Sequence, residues 1–223
     1  MTLRLAPDVP VGSPAFQLSN DRAATVLDLL CSAAYEARPH VTAGMLEVPI
    51  TLIIRKAARR IKSQLGLTDI EIRGEHELED MTSPGATLTG RIDISLKFLE
   101  HFGDQDAYVG VECKRVGAGL SQLNRRYVTE GVARFATGQY AAGHPRAFML
   151  AYVLALPVKT PIQSIDRRLR RTYGSSAQLT PGALHRLALA VQTSALQQNG
   201  GHMIRLEHVF MDMTCASGIV EGT

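Results

Sequence analysis

The sequence contains no tryptophan, its aromatic residues amount to 5% of the chain, and it has 3 cysteines. Cys31, Cys113 and Cys215 are odd in number and widely separated, which argues against a disulfide framework and for a reduced, cytoplasmic setting. Neither a C-x-x-C nor a His-x-His spacing occurs, so the common structural zinc patterns are excluded. Long apolar runs are missing too. The most apolar stretch, Ala147 to Leu156, is about half of the ~20 residues that a membrane-spanning helix needs. It reads as a buried strand, and no membrane partner is expected. The first residues lack the continuous apolar segment of a signal peptide. A strong charge of one sign is also absent, since 24 Lys and Arg face 21 Asp and Glu for a net of +3.

What is present is the composition of an ordinary globular chain: 223 residues, 45% hydrophobic and 20% charged, which fits neither disorder nor low complexity. That length suits one substantial core. Pro7, Pro10, Gly12 and Pro14 predict an extended arm over residues 1–20, with a single domain over 21–223. Asn20 or Asp21 can cap a helix that runs to about Glu36, where Pro39 stops it, with Ala24, Leu27, Leu30, Cys31 and Ala34 as its apolar stripe. A second helix spans Leu46 to Leu65. Its buried face is Leu46, Ile50, Ile53, Ile54, Ala57, Ile61 and Leu65, and Pro49 places Glu47 at or just before the first turn.

The period then drops to two. Asp69 to Leu78 reads as a strand, Met81 to Gly90 as a Ser-Pro-Gly loop, and Arg91 to Phe98 as a second strand with Ile92, Ile94, Leu96 and Phe98 on one face. Arg91, Asp93, Ser95 and Lys97 take the other face. A turn leads to Tyr108 to Val116, where Val109, Val111 and Cys113 oppose Gly110, Glu112 and Lys114, and the short connection suggests an antiparallel hairpin. A long helix is expected from Ser121 to about Ala141, then the strand from Ala147. Pro161 to Tyr173 and Pro181 to Gln198 look helical, and Met203 to Met213 looks like a closing strand with Ile204, Leu206 and Phe210 inward. On the long helix, Tyr127, Glu130 and Arg134 are spaced to share one face, which fits either a surface ion pair or a flank of a site.

Two features carry chemistry. Arg55, Lys56, Arg59, Arg60 and Lys62 form one basic run and Arg167, Arg168, Arg170 and Arg171 another; each is either a solvated helix face or a footprint for phosphate. In the hairpin, a suitable register puts Asp93, Glu112 and Lys114 on one side. Two carboxylates, with the backbone carbonyl of Cys113 between the polar positions, offer the hard oxygen ligands that suit Mg²⁺ or Mn²⁺. Lys114 would orient or deprotonate an attacking water, or offset charge as phosphorus is attacked. The competing reading is a half-exposed strand face with a cross-strand ion pair. Against it stands the apolar run Val109-Gly-Val-Glu-Cys-Lys-Arg-Val, in which carboxylates would be costly without a cation or partner.

A helix bearing Glu47, a strand with Gly90-Arg-Ile-Asp93, a strand with Glu112-Cys-Lys114, a long helix and an apolar strand follow one another in an order that resembles the PD-(D/E)XK nuclease superfamily. The resemblance covers about Leu46 to Leu156, and its Asp…Glu-x-Lys signature is short. Ile92 stands where the family name has proline. The resemblance implies an α/β chain with a restriction-endonuclease-like core, a mixed central sheet flanked by helices in αβββαβ order, and a C-terminal elaboration of helix and strand. It implies Asp93 and Glu112 as metal ligands, Lys114 as catalytic lysine and Glu47 as an added acid from the first core helix. Glu47 reads equally as a favourable charge at a helix start.

The implied activity is Mg²⁺- or Mn²⁺-dependent phosphodiester hydrolysis, foremost as a DNA endonuclease, with RNA left open. Arg55, Lys56, Arg59, Arg60, Arg115, Arg134 and Gln139 would meet the nucleic acid. A role as effector in a bacterial antiviral defence or restriction system would bring an ATPase or sensor partner, since the chain has no phosphate loop of its own, and double-strand cutting would favour a homodimer. The alternative is a catalytically inactive protein of the same fold that binds nucleic acid or a protein partner.

Overall fold

The computed structural model describes residues 16–79, 88–104 and 106–214. The extended arm up to residue 15, most of the Met81 to Gly90 loop and Cys215 lie outside them. The first helix, α1, spans Asn20–Ala37; its cap is Ser19, one residue before the expected position, whose Oγ accepts the Arg22 N–H at 3.2 Å. Its buried face adds Ala23, Val26, Leu29 and Ala33 to the expected stripe, because the helix packs on both α2 and the last strand, while Ala24 of that stripe is exposed. Helix α2, Glu47–Gln64, buries Ile50, Ile54, Ala57 and Ile61 as the spacing predicts, while Leu46 and Leu65 at its ends are exposed.

Among the described residues seven strands form one mixed sheet in the order β1-β2-β3-β4-β7-β6-β5. These are β1 Ile70–Glu79, β2 Leu88–Phe98, β3 Val109–Val116, β4 Arg146–Val153, β5 Thr180–Pro181, β6 Ala190–Gln197 and β7 Met203–Asp212. The β1-β2-β3 meander is antiparallel, β3, β4 and β7 run parallel, and β6 and β5 return antiparallel. A parallel pair needs a crossover. The β3-to-β4 crossover is α3, Ser121–Arg126, which continues through a π-helical turn, Tyr127–Val132, into α4, Ala133–Ala136; α5, Lys159–Tyr173, follows β4. The sheet has a core on each face. One is filled by α1 and α2 over Val109, Val111, Cys113 and Val209; the other by Tyr127, Phe135, Ile165 and Leu169 over Met149, Leu206 and Phe210.

Several expectations change. The crossover helix ends at Ala136 rather than Ala141, because Gly138 turns the chain at φ +77°. The π-helical turn also separates three residues expected on one face. Tyr127 is buried, Glu130 pairs with Arg126 in solvent at 3.4 Å, and Arg134 reaches the sheet. Ile94, Leu96 and Phe98 line the core beneath α1 and α2, but Ile92 joins the opposite core. Glu75, flanked by the pairs Gly74↔Ile94 and His76↔Ile92, has φ +53°, which marks the local break in the pleat. Residues 181–198 are not a helix: β6 extends the sheet by pairing along β7 from Ala190↔Phe210 to Gln197↔Met203. Among the described residues no helix is long and apolar enough to cross a membrane.

Candidate functional site

Antiparallel pairing of β2 with β3 runs only from Leu96↔Val109 to Ile94↔Val111, after which the two strands part. Asp93 is the next residue of β2. Its carboxylate fills the gap, with Oδ2 accepting the backbone N–H of Cys113 at 2.8 Å. On the β3 side, alternation turns Glu112 and Lys114 to the face opposite Val111 and Cys113. There Gly131 of the π-helical turn closes over them: a Cβ at that position would lie 3.2 Å from Lys114 Cγ and 2.7 Å from Met149 Cε. The glycine lets the helix backbone come down onto the two stems.

The parting strands open toward the start of α2. Lys114 Nζ donates to Glu112 Oε1 at 2.7 Å, to Glu47 Oε1 at 2.8 Å and to the carbonyl of Cys113 at 3.0 Å. The other oxygen of Glu47 accepts the Arg115 N–H at 3.2 Å, so this acid is tied to β3 as well as to its own helix. Arg134 comes down from α4 to Glu112, with Nη1 3.1 Å from Oε1 and 3.2 Å from Oε2. It is held there by Tyr140, whose hydroxyl accepts from Arg134 and donates to the Arg91 carbonyl, with the guanidinium carbon 5.1 Å from the ring centre.

Glu47 and Glu112 therefore meet two cations, with Asp93 alongside on the Cys113 N–H, in a site where Glu112 is 0% exposed. Burial, then the neighbouring Asp93, pushes the Glu112 carboxyl up to about 7. Burial also raises Asp93, against the opposing pull of Lys114 and the Cys113 N–H. For Lys114 burial works downward, but Glu112, Glu47 and Asp93 outweigh it and hold the ammonium above the usual lysine range. It is a fixed cation, which suits charge offset better than proton abstraction.

Among the described residues no group of three or more His, Cys, Asp and Glu side chains forms a ready-made metal cage. The Lys114 ammonium stands among the oxygens instead. The donor set nevertheless fits a hard cation, because the carboxylates of Asp93 and Glu112 and the Cys113 carbonyl are all oxygen donors and the acids outnumber the cations around them.

The expected nucleic-acid contacts do not form one face. Arg134 enters the site and Gln139 lies over Gly90, within 2.7 Å of where a Cβ would stand, whereas the Arg115 guanidinium turns back to the Met45 carbonyl at 3.2 Å. Arg55 lies across Gly74 of β1, Arg59 donates to the Ile72 carbonyl at 3.3 Å, Arg60 pairs with Glu36 at 2.5 Å, and Lys56 is exposed. Tyr140 was not singled out by the sequence pattern; its signal is its place just after the glycine that ends the helix. No family model, no curated protein and no solved structure matches this chain.

Proposed function

We propose that this chain is a divalent-cation-dependent phosphodiesterase that cuts DNA, on a core of the restriction-endonuclease-like kind. The observation that carries the reading is the convergence of Glu112 and Glu47 on Lys114, with Asp93 bound to the neighbouring Cys113 N–H, where β2 and β3 part. The order α2, β1, β2, β3, crossover helix, β4 supports it, with an antiparallel meander followed by a parallel strand. A solvated strand face would not bury Glu112 fully, nor surround it with a second acid and two cations.

Asp93, Glu112 and the Cys113 carbonyl would hold Mg²⁺ or Mn²⁺. When bound, the ion supplies Lewis acidity toward a phosphate oxygen and makes water easier to deprotonate. The chain's own groups do the rest. Lys114 offsets the charge that develops at phosphorus, Glu47 fixes the ammonium in place, and Arg134, half-exposed between Glu112 and Tyr140, orients Glu112 while presenting positive charge toward solvent.

The test is incubation of the purified chain with supercoiled plasmid, single-stranded DNA and RNA, in Mg²⁺ and in Mn²⁺, beside Glu112→Gln and Lys114→Ala. Cation-dependent cleavage by the parent chain, lost in both variants while their folded spectra persist, is expected. Equal cleavage by a folded Lys114→Ala variant would overturn the assignment. Nucleic-acid binding by the parent chain without cleavage under any of these conditions would favour an inactive, binding protein of the same fold.

A further inference from the structure

Lys97 lies four residues beyond Asp93 on β2, about 13 Å along the strand at ~3.3 Å per residue. At that end of the strand, α2 and β1 border a groove of about 960 Å³. Among the described lining residues are four cations, Arg59, Lys62, Arg73 and Lys97, and the carboxylate of Glu71. Glu71 is engaged by Arg73 at 2.9 Å. Arg59 donates to the Ile72 carbonyl at 3.3 Å and the Lys97 ammonium to the Asp104 carbonyl, while the carboxylates of Asp104, Glu71 and Asp106 also act on Lys97. Lys97 is only 7% exposed. Burial and the neighbouring Arg73 work against its charge more than those acids offset, so a further anion in the groove would be favoured. One wall differs in chemistry: Phe102 is 48% exposed, and Leu67 also lines the groove.

We infer that this groove is a second binding site, for a nucleotide whose phosphate sits among Lys62, Arg73 and Lys97 and whose base stacks on Phe102. Four cations alone would suit any polyanion; the exposed ring beside them selects a ligand that carries both a phosphate and a flat apolar face. The occupant is either part of a strand or a free nucleotide. The strand form rests on the nuclease reading above, since a chain lying along β2 would run from this groove toward Asp93.

The test is binding of a labelled oligodeoxythymidylate to the whole chain in EDTA, where no cleavage intervenes, between about 50 and 200 mM salt. Lys62→Ser with Arg73→Ser, neither residue being buried, should weaken binding at least about tenfold and make its salt dependence shallower by one to two phosphate contacts. Phe102→Ala should weaken it about fivefold with the salt slope unchanged, the mark of stacking rather than charge. Displacement of the strand by ADP would support the site with a free nucleotide as occupant, and binding that ADP leaves intact would support it with a strand. Unaltered affinity in both groove variants would overturn the proposal, as would an equal loss on replacing Arg170 and Arg171 of α5. A chain that binds through the groove yet cleaves nothing keeps this site and loses the nuclease. A chain that cleaves but is indifferent to the groove variants does the reverse.

Discussion

Two buried polar clusters lie in one row of the sheet, where the pairs Glu112↔Met149 and Met149↔His208 set them two strands apart, about 10 Å at the usual spacing. On one side of Met149, Glu112 is buried with charged partners. On the other, His208 is equally buried with neutral ones: Tyr127 Oη lies 2.9 Å from Nδ1 and Ser194 Oγ 2.8 Å from Nε2. Burial pushes the imidazole down to about 3, so it stays neutral and both ring nitrogens are matched. The histidine cluster is closed; its hydrogen bonds are complete and nothing in it awaits a ligand. The acid cluster is charged, opens at the parting strands and holds more carboxylates than cations. Equal burial thus goes with neutral, fully matched partners in one place and with unbalanced charge in the other, and the proposed chemistry falls to the second.

The largest break in this comparison is catalytic. Glu112→Gln and Lys114→Ala should each lower cation-dependent cleavage by at least ~10²-fold, the usual cost of one lost electrostatic group at a reacting phosphate. Next comes stability. Tyr127→Phe removes the hydroxyl facing His208 Nδ1 and should cost about 1–3 kcal/mol in urea unfolding, because a buried ring nitrogen loses its partner. Cleavage per folded molecule should stay within about threefold. A large loss of cleavage without loss of stability would move the histidine cluster into the active site and dissolve the distinction.

How much of this was legible in the sequence follows the same division. Asp93, Glu112 and Lys114 could be placed together because strand alternation fixes the face of each residue and Glu-x-Lys therefore faces one way. Pro49 marked the helix start at Glu47, but only the resemblance put that acid with the other three residues. The histidine cluster could not be read: His208 meets Tyr127 and Ser194 only through the β4-β7-β6 register, and the sequence shows it as an isolated histidine. Arg134 does reach the Glu112 carboxylate, but its spacing from Tyr127 misled, since the intervening π-helical turn puts the two on different sides. The segment after Pro181 misled for a different reason. Leu184, Leu187, Ala188 and Val191 keep a helical spacing, yet β7 offered an open edge, and residues 190–197 took it.

The two clusters should also titrate in opposite senses. Glu112 is raised from the ordinary 4.5 to about 7, so in the metal-free chain its contribution is fully present below the unfolded value and is lost as pH rises through about 7. His208 is depressed from 6.5 to about 3, so its contribution is present above 6.5 and is lost as pH falls toward 3. Each slope is limited to one proton, about 1.4 kcal/mol per pH unit. Urea unfolding from pH 4 to 8 should show Glu112→Gln flattening the neutral side and His208→Gln flattening the acid side. Mg²⁺ should recover stability at pH 8 in the parent chain and not in Glu112→Gln, because the ion requires the ionised carboxylate. Recovery in both would remove Glu112 from the metal site.

The smallest expected effect separates support from chemistry within the acid cluster itself. Tyr140 is bonded to Arg134 rather than to the strand acids, its hydroxyl accepting one guanidinium N–H and donating to the Arg91 carbonyl. Tyr140→Phe keeps the ring under the guanidinium and deletes only that hydroxyl, so Arg134 stays near Glu112 with one anchor fewer. Cleavage should fall about three- to tenfold, in keeping with the ~0.5–1.5 kcal/mol of a single hydrogen bond, whereas Arg134→Ala should fall further. The double variant decides between routes: if Tyr140 works only by placing Arg134, Tyr140→Phe adds nothing once Arg134 is alanine. Additive losses would mean that the phenol meets the substrate directly, and the boundary of the active site would then run one residue wider, to the turn at Gly138 that places it.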